Sequence, residues 1–193
     1  MPELPPASSL NASLNASPSA AVVTLGHPVL RQVAQPVGAV ETPALQQLIE
    51  HLLTTVQAAN GVGIAAPQLG QALRVVVVAS RPNLRYPDAP TMAPTVLINP
   101  QIVAASDEME LGWEGCLSVP GVRGRVLRHR DIEIDYLDRQ GQLRRQYWEG
   151  FVARIVQHEI DHLDGAVFLD RVGAETDLLS EQAYQAAEIA ALG

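Results

Sequence analysis

A chain of 193 residues is long enough for one domain with a sizeable buried core. Its formal net charge of −8 argues against general nucleic-acid binding, and no run approaches the roughly 20 apolar residues of a membrane-spanning helix. All 13 basic residues are Arg, which removes lysine Schiff-base and lysine general-base chemistry, and the single cysteine, Cys116, excludes an intramolecular disulfide and fits a reducing compartment.

Residues 1–20 are rich in Pro, Ser, Asn and Ala and read as a flexible extension ahead of a single domain over residues 21–193, folded from near Val22. The extension has neither the basic start nor the continuous apolar stretch of a secretory signal, and it lacks the Arg of a typical organelle transit peptide, the first basic residue being Arg31. A cytoplasmic protein is expected, with an atypical transit peptide, on the Ser and Ala content and few acids, as the lesser alternative. Its two Asn-Ala-Ser triplets match glycosylation acceptors, a pattern that matters only in a secreted protein.

Thr42-Pro43 is an N-cap followed by proline at the first helical position. Leu45, Leu48, Ile49, Leu52, Leu53 and Val56 then recur at helical spacing, and Asn60-Gly61 ends the helix with residues that tolerate positive φ. Leu73 to Ala79 and Thr95 to Asn99 read as buried strands. Asp131 to Leu137 alternates Ile132, Ile134 and Tyr136 with acids, and Gln142 to Trp148 follows after a Gly-containing loop, as in an antiparallel hairpin. Phe151 to Leu163 reads as a second helix, apolar on more than one side and therefore central, with Gly165 just past its end. Asp177 to Leu192 reads as a C-terminal helix. Strands grouped around a central helix, with one helix before and one after, predict the α+β class.

The sharpest local pattern is His158-Glu159-Ile160-Asp161-His162. On a helix these two histidines sit one turn apart on one face, where both imidazoles reach a single ion at about 2.0–2.1 Å. The glutamate beside the first histidine is placed to take a proton from a water that the ion activates. A histidine pair on a buried helix is otherwise hard to satisfy.

A catalytic site needs a third protein ligand and one open position. Upstream, Trp113-Glu114-Gly115-Cys116-Leu117-Ser118 offers a thiolate suited to zinc or iron(II). A lone cysteine reads first as a small buried hydrophobe, but Gly115 and Gly121 mark a tight backbone path around this one. Downstream, Glu175, Glu181 and Glu188 are the candidates, and a ligand there would make the chain a zinc endopeptidase. A cysteine hydrolase pairing Cys116 with a histidine would keep its activity under chelation. A closed structural zinc site needs four ligands, for which only three good candidates exist. A third segment, Gly61 to Gln68, has the small residues that let another backbone approach closely, although by itself it reads first as an ordinary helix-to-strand connection; since it follows a helix and precedes a strand, it is not a dinucleotide fingerprint.

Together, Gly61-Val62-Gly63-Ile64-Ala65-Ala66-Pro67-Gln68, Glu114-Gly115-Cys116-Leu117-Ser118 and His158-Glu159-Ile160-Asp161-His162 resemble the three signature motifs of peptide deformylases in order and separation, over Val22 to Arg171. The resemblance implies antiparallel strands around a metal-binding helix, and a catalytic domain that removes the N-formyl group from formyl-methionyl nascent peptides as formate. It implies one divalent ion, iron(II) first, with zinc, nickel and cobalt also accepted. It places Cys116, His158 and His162 on that ion with water fourth, Glu159 as the proton shuttle, and Gln68 with the Leu117 backbone N–H at the oxyanion. It has Gly63 hydrogen-bonding a peptide that adds like a strand, and Val62, Phe151 and Ile155 lining the methionine pocket. The extension has no counterpart in the family.

Some members of that family are thought to dock on the ribosome through a basic C-terminal helix. Here Asp177 to Leu192 carries Asp177, Glu181 and Glu188 and no basic residue. A weak, transient ribosome association that avoids this helix is therefore expected, with no nucleic-acid specificity and no membrane. The segment's Leu178, Leu179, Ala183, Ala186, Ala187, Ala190 and Ala191 are expected to pack on the domain. The dense basic run is Arg123, Arg125, Arg128 and Arg130; the first two share a strand face, where they can meet peptide carbonyls or a carboxylate, and one of the others can pair with Glu114.

Overall fold

The computed structural model describes residues 21–83 and 85–191, leaving aside the side chains of 188, 189 and 191. The predicted extension, residues 1–20, lies outside the described residues, as does the end of the predicted C-terminal helix at Leu192. The start expected near Val22 is tied down at once: Val23 N–H donates to Gln68 O and Leu25 N–H to Ser118 O.

Helix α1 spans Pro43–Ala58, with the Thr42 hydroxyl accepting from the Leu45 N–H and proline opening the first turn. Its apolar stripe buries Leu45, Leu48, Ile49, Leu52 and Val56, and each aliphatic side chain so buried contributes about 1.5–3 kcal/mol. Asn60 then turns the chain with a φ of 49°. Strands β1 (Gly63–Ala65), β2 (Val75–Val78) and β3 (Thr95–Ala105) follow. Next come β4 (Met109–Cys116), β5 (Val119–His129), β6 (Asp131–Leu137) and β7 (Leu143–Glu149). Helix α2 is Gly150–Leu163, β8 is Leu178–Ser180 and α3 is Glu181–Ala191.

The strands form two sheets, β1-β2-β3-β6-β7 and β4-β5-β8, paired antiparallel throughout. The larger sheet is covered on both faces, which explains the unbroken valine run of β2. Val76 and Val78 join Leu97, Ile134 and Trp148 against Ile155, Val156 and Ile160 of α2. Val75 and Val77 face the other way, against Leu45, Ile49 and Leu52 of α1. Helix α2 is thus central, with every residue from Ala153 to Leu163 buried. The α+β class, with antiparallel strands around a central helix, is what the sequence predicted.

Two boundaries shift by more than two residues, and one hairpin was not expected. The strand predicted at Thr95 to Asn99 runs on to Ala105, through a bulge, because Gln101 to Ala105 pairs with β6. The β4–β5 hairpin, the longest in the molecule's smaller sheet, was not predicted. The C-terminal helix starts at Glu181 rather than Asp177. Leu178–Ser180 instead pairs with Val122–Gly124 of β5, and the Ser180 hydroxyl accepts the Ala183 N–H at 3.1 Å. Nor does the helix pack by its alanines: Ala183, Ala186, Ala187 and Ala190 are exposed, and its buried anchor is Tyr184.

Candidate metal centre

The centre forms where α2 passes between the sheets. His158 and His162 stand one turn apart on it, with ring centres 5.2 Å apart. The end of β4 brings Cys116 over them, its Sγ 3.2 Å from His162 Nε2. Among the described residues, Cys116, His158 and His162 form the one group whose donor atoms all lie within 4.8 Å of one another and could hold an ion. The downstream candidates are elsewhere. Glu181 is committed to Arg123, Glu175 is exposed in a turn, and the Glu188 side chain lies outside the description.

The donors are prepared for that role. Glu114 Oε2 accepts from His158 Nδ1 at 2.8 Å, which fixes the tautomer and leaves Nε2 for a ligand. Glu114 is itself held by Arg128, through Nε at 2.9 Å and Nη2 at 3.0 Å, and by Arg154 at 3.1 Å. Arg128 also reaches Asp161 at 2.6 Å, so β5 and α2 are cross-linked directly beneath the histidines. Burial opposes ionisation of Glu114, yet the hydrogen bonds from His158 and Arg128 overcome it and hold the carboxyl well below its usual range. Burial also pushes the Cys116 thiol up, but the His162 charge and hydrogen bonds from His158 and His162 prevail and bring its pKa to about 5. A thiolate beside two imidazoles is a donor set for a borderline-soft divalent ion, and the site fits one.

Glu159 is 4% exposed, and its Oε2 is a buried acceptor with no hydrogen-bond partner among the described residues. Burial lifts its carboxyl to about 7 against the opposing pull of His158 and His162. Its other oxygen lies against Gly63: a Cβ on that residue would stand 2.5 Å from Oε1 and 2.8 Å from Ile155 Cγ2. Only glycine lets β1 run this close to α2.

Gln68 sits on a 3-10 turn after β1, 1% exposed. Its Oε1 accepts the Ala65 N–H at 2.8 Å, which orients the amide so that Nε2 points to Ser118 Oγ at 3.2 Å and Cys116 Sγ at 3.5 Å. Leu117 follows Cys116 on the same rim. A cleft of about 540 Å³ of open space is lined by Val62, Gly63, Gln68, Cys116, Leu117, Phe151, Ile155, His158 and Glu159. Of the residues singled out from the sequence, His162 lies deeper, fully buried behind the other ligands.

Residues with no motif complete the rim. Tyr86, in the loop after β2, packs its ring on Phe151 with centres 5.0 Å apart. Its hydroxyl accepts from Gly115 N–H at 3.2 Å and from Arg123 Nη1 at 2.8 Å. The β4–β5 register shifts between Glu114 and Cys116, and this bulge frees the Gly115 N–H for Tyr86. Gly115 must be small because Arg123 lies behind it, 3.0 Å from where a Cβ would be. The expectation that Arg123 and Arg125 meet carboxylates holds for Glu181 and Asp177 of this chain, and Arg128 is the one that pairs with Glu114. An aromatic residue in a Pro-rich loop was the one signal that could have singled out Tyr86.

Residues 19–177 match the polypeptide deformylase family. The chain belongs to the peptide deformylase family. It is 55% identical over 164 residues to peptide deformylase 2 of Nostoc sp., covering 85% of this chain and 92% of that one. It is 49% identical over 152 residues to peptide deformylase 1 of Bordetella pertussis, covering 79% and 86%. A Met-Ala-Ser-bound class I type b peptide deformylase from Acinetobacter baumannii superposes with a TM-score of 0.77 at 48% identity, over 78% of this chain and 96% of that one. Membership makes the chain a metal-dependent hydrolase that removes the N-formyl group of newly synthesised polypeptides.

Proposed function

We propose that Cys116, His158 and His162 hold one divalent ion, iron(II) in the cell with zinc, nickel and cobalt able to replace it, and that the remaining rim residues carry out deformylation around it. A divalent ion at that position supplies Lewis acidity, which acidifies water and polarises a carbonyl. Glu159 takes the proton from the attacking water and delivers it to the leaving amine, a task suited to a buried carboxyl raised to about 7. Gln68 Nε2 and the Leu117 N–H stabilise the negative charge that builds on the formyl oxygen. Gly63 hydrogen-bonds the peptide backbone along β1, and Val62, Phe151 and Ile155 surround the methionine side chain. The observation that carries this reading is that β1, the β4 terminus and α2, far apart in sequence, bring these groups to one cleft. A substrate that is a nascent chain supports a cytoplasmic location, and among the described residues no helix is long and apolar enough to cross a membrane.

The test is formate release from formyl-Met-Ala-Ser, prepared anaerobically. The enzyme should be active as isolated, inactive after a chelator strips it, and active again on adding iron(II). Activity that survives complete metal removal would support the Cys–His hydrolase instead, and no release from metal-loaded enzyme would end the reading.

The structure also bears on the ribosome. Asp177 and Glu181 are spent on Arg125 and Arg123, and the exposed face of α3 offers Gln182, Ala183, Ala186 and Ala187 without a cation. Any ribosome association is therefore expected to be weak and independent of α3. Adding acid to that face, with Gln182→Glu and Ala186→Glu, should leave co-sedimentation with ribosomes unchanged. A clear loss of binding would contradict it.

A further inference from the structure

A second cleft, of about 560 Å³ of open space, adjoins the first, and the two share Arg85, Gly115, Cys116 and Leu117. Its floor is the turn from β4 into β5, with Val119, Pro120 and Val122, and its far wall is α3, through Glu181 and Gln185. Helix α3 is held there by Arg123, whose side chain is fully buried. The guanidinium donates to Glu181 through Nε at 2.8 Å and Nη2 at 3.1 Å and lies 4.9 Å from the ring centres of both Tyr86 and Tyr184.

Charge in this cleft is unevenly compensated. Both oxygens of Glu181 are engaged by Arg123, and Gln185 Nε2 adds a further hydrogen bond at 3.3 Å. Hydrogen bonding to Arg123 is the main reason the Glu181 carboxyl sits below its usual range, with the Arg85 charge a smaller one. The lining therefore holds two guanidiniums, Arg85 and Arg123, against the single carboxylate of Glu181. Arg85 is exposed, and among the described residues its side chain makes no hydrogen bond or ion pair. In a chain of net charge −8 that is an unusual place to leave a cation.

We propose that Arg85 is a specificity-determining residue: the second cleft receives the residues that follow formyl-methionine, and Arg85 selects a carboxylate side chain there over an ammonium one. This rests on the reading of the first cleft as the formyl-methionine site. With the formyl carbon at Cys116 and Glu159 and the methionine against Val62 and Ile155, the rest of the peptide leaves along the rim common to both clefts. Arg85 borders that exit. The apolar Val119, Pro120 and Val122 can take an aliphatic stem, while the planar guanidinium matches a carboxylate in geometry as well as charge.

The experiment compares kcat/KM for formyl-methionyl tripeptides with Glu, Gln or Lys at the second or third position, at low and high salt. At low salt the Glu peptide should exceed the Lys peptide by about threefold to fivefold, the range of an exposed ion pair, and the ratio should shrink at high salt. In Arg85→Gln the ratio should fall to near one, and in Arg85→Glu it should invert. Equal kcat/KM for all peptides at low salt, or a Glu preference that survives Arg85→Gln, overturns the proposal while leaving the first cleft's assignment intact. No release from any of them by metal-loaded enzyme overturns that assignment and the proposal with it.

Discussion

Glu159→Gln is expected to keep its metal and release formate at least about 100-fold more slowly, the lower range for loss of a general acid–base group. The substitution preserves shape, so Gly63 and Ile155, which crowd this side chain, are not disturbed. It touches none of the donor atoms on Cys116, His158 and His162. What it removes is the one buried carboxyl in the cleft with a free oxygen and a pKa near neutrality. Glu114, the other nearby acid, cannot substitute, because His158, Arg128 and Arg154 keep it ionised and occupied. Formate release measured beside metal content decides the matter. Turnover close to that of the parent, at full occupancy, would require another proton carrier.

Cys116→Ala should lose tight metal binding as well as activity. Two imidazoles would remain, on one face of one helix, with no third protein donor among the described residues close enough to complete the set. Loss of an outer partner of a ligand already weakens binding about 10- to 100-fold, so loss of the ligand itself should exceed about 100-fold. The fold should tolerate the change, since Cys116 contributes one small side chain to a minor cluster with Val119, Val126 and Phe168. Competition against a chromophoric chelator reads the affinity, and circular dichroism checks the fold. If one ion is still held as tightly as in the parent, the third ligand lies elsewhere. Retained metal with lost activity would instead mark Cys116 as a nucleophile. The two outcomes therefore separate a ligand from a reactive thiol.

The elements read correctly from the sequence are those whose signal is local. The capped start and apolar stripe of α1 lie within one segment, and so do the alternation of β6 and the i, i+4 histidines of α2. Strand β2 was legible as buried because four consecutive valines leave no polar face. By contrast, β4 and β5 hide their nature. Buried Glu114, Arg123 and Arg128 occupy inward positions where a pattern reading looks for apolar residues. Glycines at 112, 115 and 124 make room for Arg154, Arg123 and Phe168, partners distant in sequence. A buried cation is affordable only when its carboxylate is already in place, and that pairing is invisible until the chain is folded.

The sequence by itself determined that a helix would carry His158, Glu159 and His162 on a buried face, and its ordered motifs pointed to Cys116, Gln68 and Gly63 as their partners. Spacing along one helix is a local property, so those two histidines needed no tertiary information to be paired. Only the tertiary structure decided how the pieces meet. It set the 3.2 Å approach of Cys116 to His162 across a bulge, the choice of Glu114 to orient His158, and the seating of Tyr86 on Gly115. It likewise decided that Leu178–Ser180 becomes a strand rather than the first turn of a helix. Residues there have their backbone partners in β5, and hydrogen-bond partners distant in sequence, Val122 opposite Ser180 and Gly124 opposite Leu178, override the weak preference of the segment itself.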